Sequence, residues 1–489
     1  MSKFKISYFN ISIIIFIIGF IYLLLNLGPL YFFVDKLQIG TIYIFNLLPI
    51  LYYLKSNDKE KILPLFQLIL LYFFLSYTLT FFFRDLEFEL FFFQGQSIFA
   101  TEIKIPSLRY VRNILLIGLL SLNLGYFFSS YYFKKKRQGF ESMFFKNENS
   151  ILFLGFLCFM FYVLCFLFLK INEFIPGADQ IRYPLILSSM LMIFLGILIK
   201  KNNFFINILY TAPIIFIIYY NITSGIYGFP FKLLVLLFVL FIFVKKRIPF
   251  YTLIISSILF ISLHSIKYDI RYINTFEGPK LNKVQILKNR VKNKFSKGAE
   301  NLTGVVIGYD VLEIRRTIKR VVHGYHSLII IHQQHKPVLK DKKPSEHLNG
   351  STYSILLSKL IPRIFWKNKP IDNLANSVGR YYNILTPNDF KTSWNLPILN
   401  ESYANFNLKG VILIMFLVGA ITRYLSFNFF ISKINNAEFV IALTIILPLW
   451  FLESHLSLLI GVLIQQYLLL FVGFYLFLKI IKIFNYQPK

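Results

Sequence analysis

Long apolar runs separated by short clusters of Lys, Arg, Asn and Asp recur along most of the chain. Ile13 to Ile18 is a run of six apolar residues without alternation, which argues against the two-residue period of a membrane β-strand. Windows of about 17–25 residues almost free of charge are long enough to cross a ~30 Å hydrocarbon core. Inside that core every backbone N–H and C=O must pair within its own segment, so each window predicts a helix. Spans are expected near 8–26, 38–54, 62–83, 110–133, 150–169, 183–199, 203–221, 229–244, 248–265, 409–430, 437–453 and 456–481, the last pair also reading as a re-entrant hairpin. The fold class expected is an all-α polytopic membrane protein with about twelve transmembrane helices.

Charge placement orients these spans. The connectors at Lys55 to Lys61, Lys134 to Arg137, Lys200-Lys201, Lys245 to Arg247 and Arg423 to Lys433 are cationic, as are Lys3, Lys5 and the C-terminal tail. The alternate connectors 27–37, 84–109, 170–182 and 222–228 are poor in Lys and Arg. The excess of Lys and Arg in short cytoplasmic loops therefore puts both termini inside and the long segment 266–408 outside. Three parts follow: a membrane bundle over 1–265, a long outer loop over 266–408, and the last spans with a cytoplasmic tail over 409–489.

Composition narrows the class. The chain has 489 residues, 56% hydrophobic and 19% aromatic, with a mean hydropathy of +0.61, beyond what a soluble domain carries. A formal charge of +29 suggests nucleic acid for a soluble protein; here membrane insertion or an anionic substrate accounts for it. The N-terminal run resembles a signal peptide but is too long and has no small-residue cleavage site, so a retained first helix is expected. Cys158 and Cys165 lie seven residues apart in one span, roughly 10 Å along a helix and too far for a disulfide.

The long loop is unusual. Residues 266–409 hold 24 Lys/Arg against 10 Asp/Glu, and five of the seven histidines, which fits contact with anionic headgroups, a phosphate-bearing substrate, or both. Leu281 to Lys297 reads as a basic amphipathic helix suited to the outer leaflet. A second helix is expected from about Asp310 to His332, with Arg316, Lys319, Arg320, His323 and His326 on one face. The segment 336–350 reads as a flexible break. No phosphate-cradling Gly-rich loop and no His-Glu-x-x-His pair is present, and the His-x-x-His pairs lack an acidic or Cys partner, so no metal is expected. The cluster Asp85-Leu86-Glu87-Phe88-Glu89 reads as an interfacial edge.

The informative region is 349–410. It contains Gly350-Ser351-Thr352-Tyr353, then Ile361-Pro362-Arg363-Ile364-Phe365-Trp366-Lys367-Asn368-Lys369-Pro370, then Gly379-Arg380, and Glu401-Ser402-Tyr403-Ala404-Asn405-Phe406-Asn407. Pro362, Pro370 and Gly379 predict a shaped loop, and Trp366 with Phe365 predicts an interfacial anchor. Arg grips phosphate oxygens bidentately, whereas Lys acts as a point charge. This stretch resembles the oligosaccharide repeat unit polymerases of O-antigen and exopolysaccharide assembly (Wzy-type). These show Gly-x-Thr-Tyr, then Ile-Pro-Arg-x-x-Trp-Pro-x-Lys-Pro, then Glu-x-x-x-Asn-Phe-Gly before a late span. The chain departs at Lys367, where the family prefers Pro, and at Asn407, where it prefers Gly.

The resemblance implies an inverting glycosyl transfer at the outer face of a bacterial inner membrane. Substrates would be polyprenyl-pyrophosphate-linked oligosaccharides, with no cofactor, no metal and no nucleic acid. Membrane lipids, a chain-length regulator and a flippase of the same pathway are the implied partners. Glu401 is the first choice for the base and His323 and His326 the second; Arg363, Lys369, Arg380, Arg271 and Arg182 are the expected pyrophosphate cations. An O-antigen ligase or another polyprenyl-linked glycosyltransferase is the alternative within this class, and a lipid-linked oligosaccharide flippase the alternative outside it.

Overall fold

The computed structural model describes residues 8–27, 32–55, 65–83, 105–133, 148–174, 179–199, 204–223, 228–245, 252, 321–335, 345–356, 358, 361, 366, 373–390, 392–429 and 454–461. Among these the regular structure is helical throughout, with no strand. The chain divides into two compact units, one of residues 1–141, 321–434 and 445–489, the other of 142–320 and 435–444.

The first unit contains α1 (Tyr8–Asn26), α2 (Phe33–Lys55), α3 (Leu65–Ser76), α4 (Ile105–Phe133), α9 (His323–His335), α10 (Leu374–Tyr381) and α11 (Ile398–Phe429). The second contains α5 (Glu148–Tyr162), which continues as a π-helical turn over Val163–Phe168, then α6 (Asp179–Ile199), α7 (Phe204–Thr223) and α8 (Gly228–Lys245). Among the described residues, four stretches are long and apolar enough to cross a membrane: Phe33–Tyr53, Ser107–Tyr131, Ile151–Phe168 and Ile398–Ser426. Ile14, Leu25, Phe128, Phe153 and Leu413 are exposed along these and neighbouring helices; apolar side chains on a helix surface are what a lipid solvent selects.

Two helices begin earlier than hydropathy predicts. α2 includes Asp35, and α4 includes Arg109 and Arg112. These charges pair with one another: Arg109 donates to both Asp35 oxygens at 2.8 and 2.9 Å, and the fully buried Arg112 donates to one of them. A paired buried charge stays inside the helix where a lone one would have to reach water. Buried amides are handled the same way. Asn46 donates to the Ile42 carbonyl and to Thr78 Oγ1.

α4 and α11 run in the same direction and form the spine of this unit. Gly125 of α4 abuts the Phe416 backbone, and Gly419 of α11 abuts the Leu122 carbonyl. Glycine on each helix against backbone on the other allows the close approach that substitutes for a hydrophobic drive in lipid. Expected span 409–430 begins eleven residues earlier, at Ile398, but the helix is broken at Phe406 and Asn407 and resumes at Leu408. Asn407 has φ +55° and ψ −148°. Cys158 and Cys165 are free and buried. The expected helix at 281–297, the acidic cluster at 85–89 and the spans near 248–265 and 437–453 lie outside the described residues, apart from residue 252.

Candidate functional site

The helical prelude before the break, Ile398 to Asn405, gathers the segments around it. Asn400 accepts from the Tyr77 hydroxyl at 2.9 Å and donates to the Gly324 carbonyl at 2.9 Å, tying α3 and α9 to α11. Gly324 is needed there, because a Cβ would sit 2.9 Å from the Tyr77 ring. Asn405 is fully buried and clamps the 350–353 turn. Its Oδ1 accepts from the Gly350 N–H at 3.0 Å, and its Nδ2 donates to Thr352 Oγ1 and the Glu401 carbonyl at 2.8 Å each. Phe406 stacks on Tyr353 with ring centroids 5.9 Å apart, and it covers Gly350, which has φ +84°. The two motif segments, about fifty residues apart in the chain, form one packed unit.

Asn407 stands where the resembling motif has glycine, and its backbone is strained. A positive φ with ψ near −150° is close to glycine-only backbone. Asn tolerates such positions better than other residues, and here its own Oδ1 accepts from the Leu408 N–H at 2.8 Å.

Glu401 is fully buried, and its Oε2 accepts from the Leu456 N–H at 2.6 Å. Leu458 and Leu459 N–H groups return to the His455 carbonyl, so the carboxylate caps the first turn of the helix that starts at Leu456. Burial, then the Glu401 charge, push the Tyr353 phenol well above its usual range, so Tyr353 is a neutral hydroxyl.

α9 carries His323, His326, His332 and His335. His326 is buried and His323 half-buried. Further along, the sequence order conceals a cluster. His332 Nδ1 lies 2.8 Å from the Tyr403 hydroxyl, and its ring stacks on Tyr110 at 4.7 Å. His335 Nδ1 bonds the Ser345 carbonyl at 2.8 Å, its Nε2 bonds the Tyr382 hydroxyl at 3.1 Å, and its ring stacks on His347 at 4.0 Å. Burial holds the His335 pKa below the usual imidazole range, against the Ser345 bond, which raises it; His347 lowers it further. His332, His335 and His347 were not among the expected site residues, and their pairing has no local signal.

Arg380, half-buried on α10, is fixed from two sides. Its Nε donates to Asn376 Oδ1 at 3.0 Å, and its guanidinium lies over the Phe390 ring at 4.3 Å. Asn376 spends both Nδ2 hydrogens on the Asp389 and Thr392 carbonyls, at 2.8 and 2.7 Å, which fixes the amide so that its oxygen faces the arginine. Gly379 is helical and not a turn residue: a Cβ there would meet Leu385 at 2.7 Å. Trp366 is exposed. Arg182 lies on α6 in the second unit, half-buried. Arg363, Lys369 and Arg271 lie outside the described residues. An apolar groove of about 770 Å³ between α1, α2 and α4 is lined by Phe16, Phe45, Pro49, Leu120 and Phe127, with Lys55 at one end, and includes none of the residues around Asn405.

The apolar helices define a multi-pass membrane protein, helical throughout the regular structure of its described residues. No family model, curated protein or solved structure matches the chain.

Proposed function

We propose that the protein is a polymerase of lipid-linked oligosaccharide repeat units, with about twelve spans, both termini cytoplasmic and the 266–408 loop on the outer face of a bacterial inner membrane. The observation that carries this reading is the convergence of Gly350, Thr352 and Tyr353 with Asn405 and Phe406. These are residues on which the resemblance rests, and the glycine position of that motif, Asn407, has a glycine-type backbone.

The contacts also favour the topology. Asp35 with Arg109 and Arg112, Tyr77 with Asn400, and Glu401 with Leu456 each join segments that it puts at the outer end. Arg423 donates to Tyr126 at the inner end.

In the reaction, a hydroxyl of the incoming repeat unit attacks the anomeric carbon of the growing chain, and polyprenyl pyrophosphate leaves. Cations stabilise the charge that develops on the leaving group. Arg380 is pre-set for this, its Nη groups making no bond to a described residue; Arg363 and Lys369 are its expected companions. Glu401 is fully buried, and its Oε2 on the Leu456 N–H holds that turn against α11.

The test is a glycan ladder from cells deleted for the gene and complemented with wild type, Arg380→Ala or Arg363→Ala, at matched membrane levels. The reading expects the deletion to retain a single attached repeat and lose long chains. It expects each variant to slow polymerisation by about 100–1,000-fold. Loss of all attached glycan, with lipid-linked units still facing outward, would make the protein a ligase. Units trapped on the inner face would make it a flippase.

A further inference from the structure

His347 sits between two packed elements at the edge of the histidine–tyrosine cluster. Its Nδ1 faces the Ala404 carbonyl at 3.3 Å. A carbonyl only accepts, so the ring proton is on Nδ1 and the bare nitrogen is Nε2. The ring is half-buried, stacked on His335 at 4.0 Å and edge-on to Tyr403. The Leu348 N–H donates to the same Ala404 carbonyl at 2.9 Å, which holds this turn against α11.

The rival proton acceptors are placed differently. His335 has both nitrogens hydrogen-bonded. His326 and His332 are each 4% exposed. His323 Nε2 and both nitrogens of His455 are buried. Glu401 is fully buried, with Oε2 on the Leu456 N–H. His347 combines a fixed tautomer with an accessible ring, two residues from the start of the Asn349–Tyr353 turn.

We propose that His347 Nε2 accepts the proton of the attacking sugar hydroxyl, an assignment that rests on the polymerase reading above. The hydroxyl oxygen forms the new bond to C1. The C1–O bond to pyrophosphate breaks, and its electron pair leaves with the polyprenyl pyrophosphate. The hydroxyl proton moves to Nε2, and the Nδ1–H bond to Ala404 supports the imidazolium. The groups facing His347 are His335 from α9 and Tyr403 from α11, with Glu346 beside it in the chain and Tyr382 and His332 one contact further. Burial lowers the His335 pKa, which disfavours a second positive charge on the stacked ring.

The test uses membrane vesicles bearing the full-length chain, supplied with lipid-linked repeat units extracted from cells lacking the gene. Chain growth is followed by gel ladder between about pH 5 and 8.5, a range that brackets imidazole titration. The wild-type rate is expected to fall on the acid side. His347→Asn, which retains a donor for Ala404, is expected to slow growth at least about 100-fold, with unchanged half-saturation for the lipid-linked unit. A flat wild-type profile overturns the proposal whatever the variants do, so the decision survives a variant that fails to fold. A folded His347→Asn protein that polymerises at close to the wild-type rate overturns the proposal alone and leaves the polymerase reading standing. Wild-type vesicles that extend no chain from outward-facing units overturn both.

Discussion

Replacing Asn405 by alanine should release the 350–353 turn from α11. The side chain is fully buried and makes three hydrogen bonds: from the Gly350 N–H at 3.0 Å, to Thr352 Oγ1 at 2.8 Å and to the Glu401 carbonyl at 2.8 Å. The third is an i−4 bond that supplements the helix ladder, so its loss matters least. The first two leave a backbone donor and a hydroxyl without their partner, each worth about 1–3 kcal/mol when buried. A loss of about 2–4 kcal/mol is therefore expected, reduced where water reaches the opened turn. Thr352→Val removes only one partner and should cost about 1–2 kcal/mol. The assay is reversible unfolding by sodium dodecyl sulfate in mixed micelles, run as a double-mutant cycle. The cycle should return a coupling of about 0.5–2 kcal/mol between Asn405 and Thr352. A coupling indistinguishable from zero, with Asn405→Ala within about 0.5 kcal/mol of wild type, would refute the clamp.

Asn407→Gly should be neutral or stabilising by up to about 1 kcal/mol, because glycine meets no Cβ penalty at φ +55°. Asn407→Val should lose about 1–3 kcal/mol, and the same unfolding assay separates the two. Gly125→Ala pushes a methyl into the Phe416 carbonyl, and since backbone cannot rotate away, α4 and α11 must part. A loss of about 1–3 kcal/mol is expected, whereas Gly125→Ser without any loss in thermal stability would exclude the close approach. His335 has a depressed folded pKa, so its stabilisation is present above the unfolded value near 6.5 and is lost as pH falls toward the folded one. Wild type should lose more thermal stability than His335→Gln between about pH 7 and 5; identical slopes would remove the linkage.

The apolar runs reveal the membrane helices because length and absence of charge are local properties. What they misplace are the ends. Asp35 and Arg109 read as loop charges, yet they lie inside α2 and α4, where Asp35 pairs with Arg109 and with Arg112 of the expected span across more than seventy residues. Nothing local to position 35 discloses that partner. Gly379 fails for a related reason: it reads as a turn former, but its role is to admit Leu385. The loop's richness in histidine is plain from the sequence. The meeting of His335 with His347, and of both with Tyr403, depends on how α9 and the 345–350 turn dock on α11.

Among the described residues of the two resembling segments, Asn405 bonds Gly350 and Thr352 and Glu401 Oε2 bonds the Leu456 N–H, while Asn407, where the chain departs from glycine, bonds the next N–H. Groups committed in this way build a scaffold at the head of a membrane-crossing helix. Polar atoms that bond no described residue occur beside these segments, at the Nη groups of Arg380 and Nε2 of His347. On the polymerase proposal, these are the cation for the leaving group and the base for the incoming hydroxyl that an inverting transfer requires. Both are fixed by buried neighbours, Asn376 for the arginine and His335 for the histidine. Substitution of a scaffold residue should therefore lower stability and rate together, whereas substitution at Arg380 or His347 should lower rate with the fold intact.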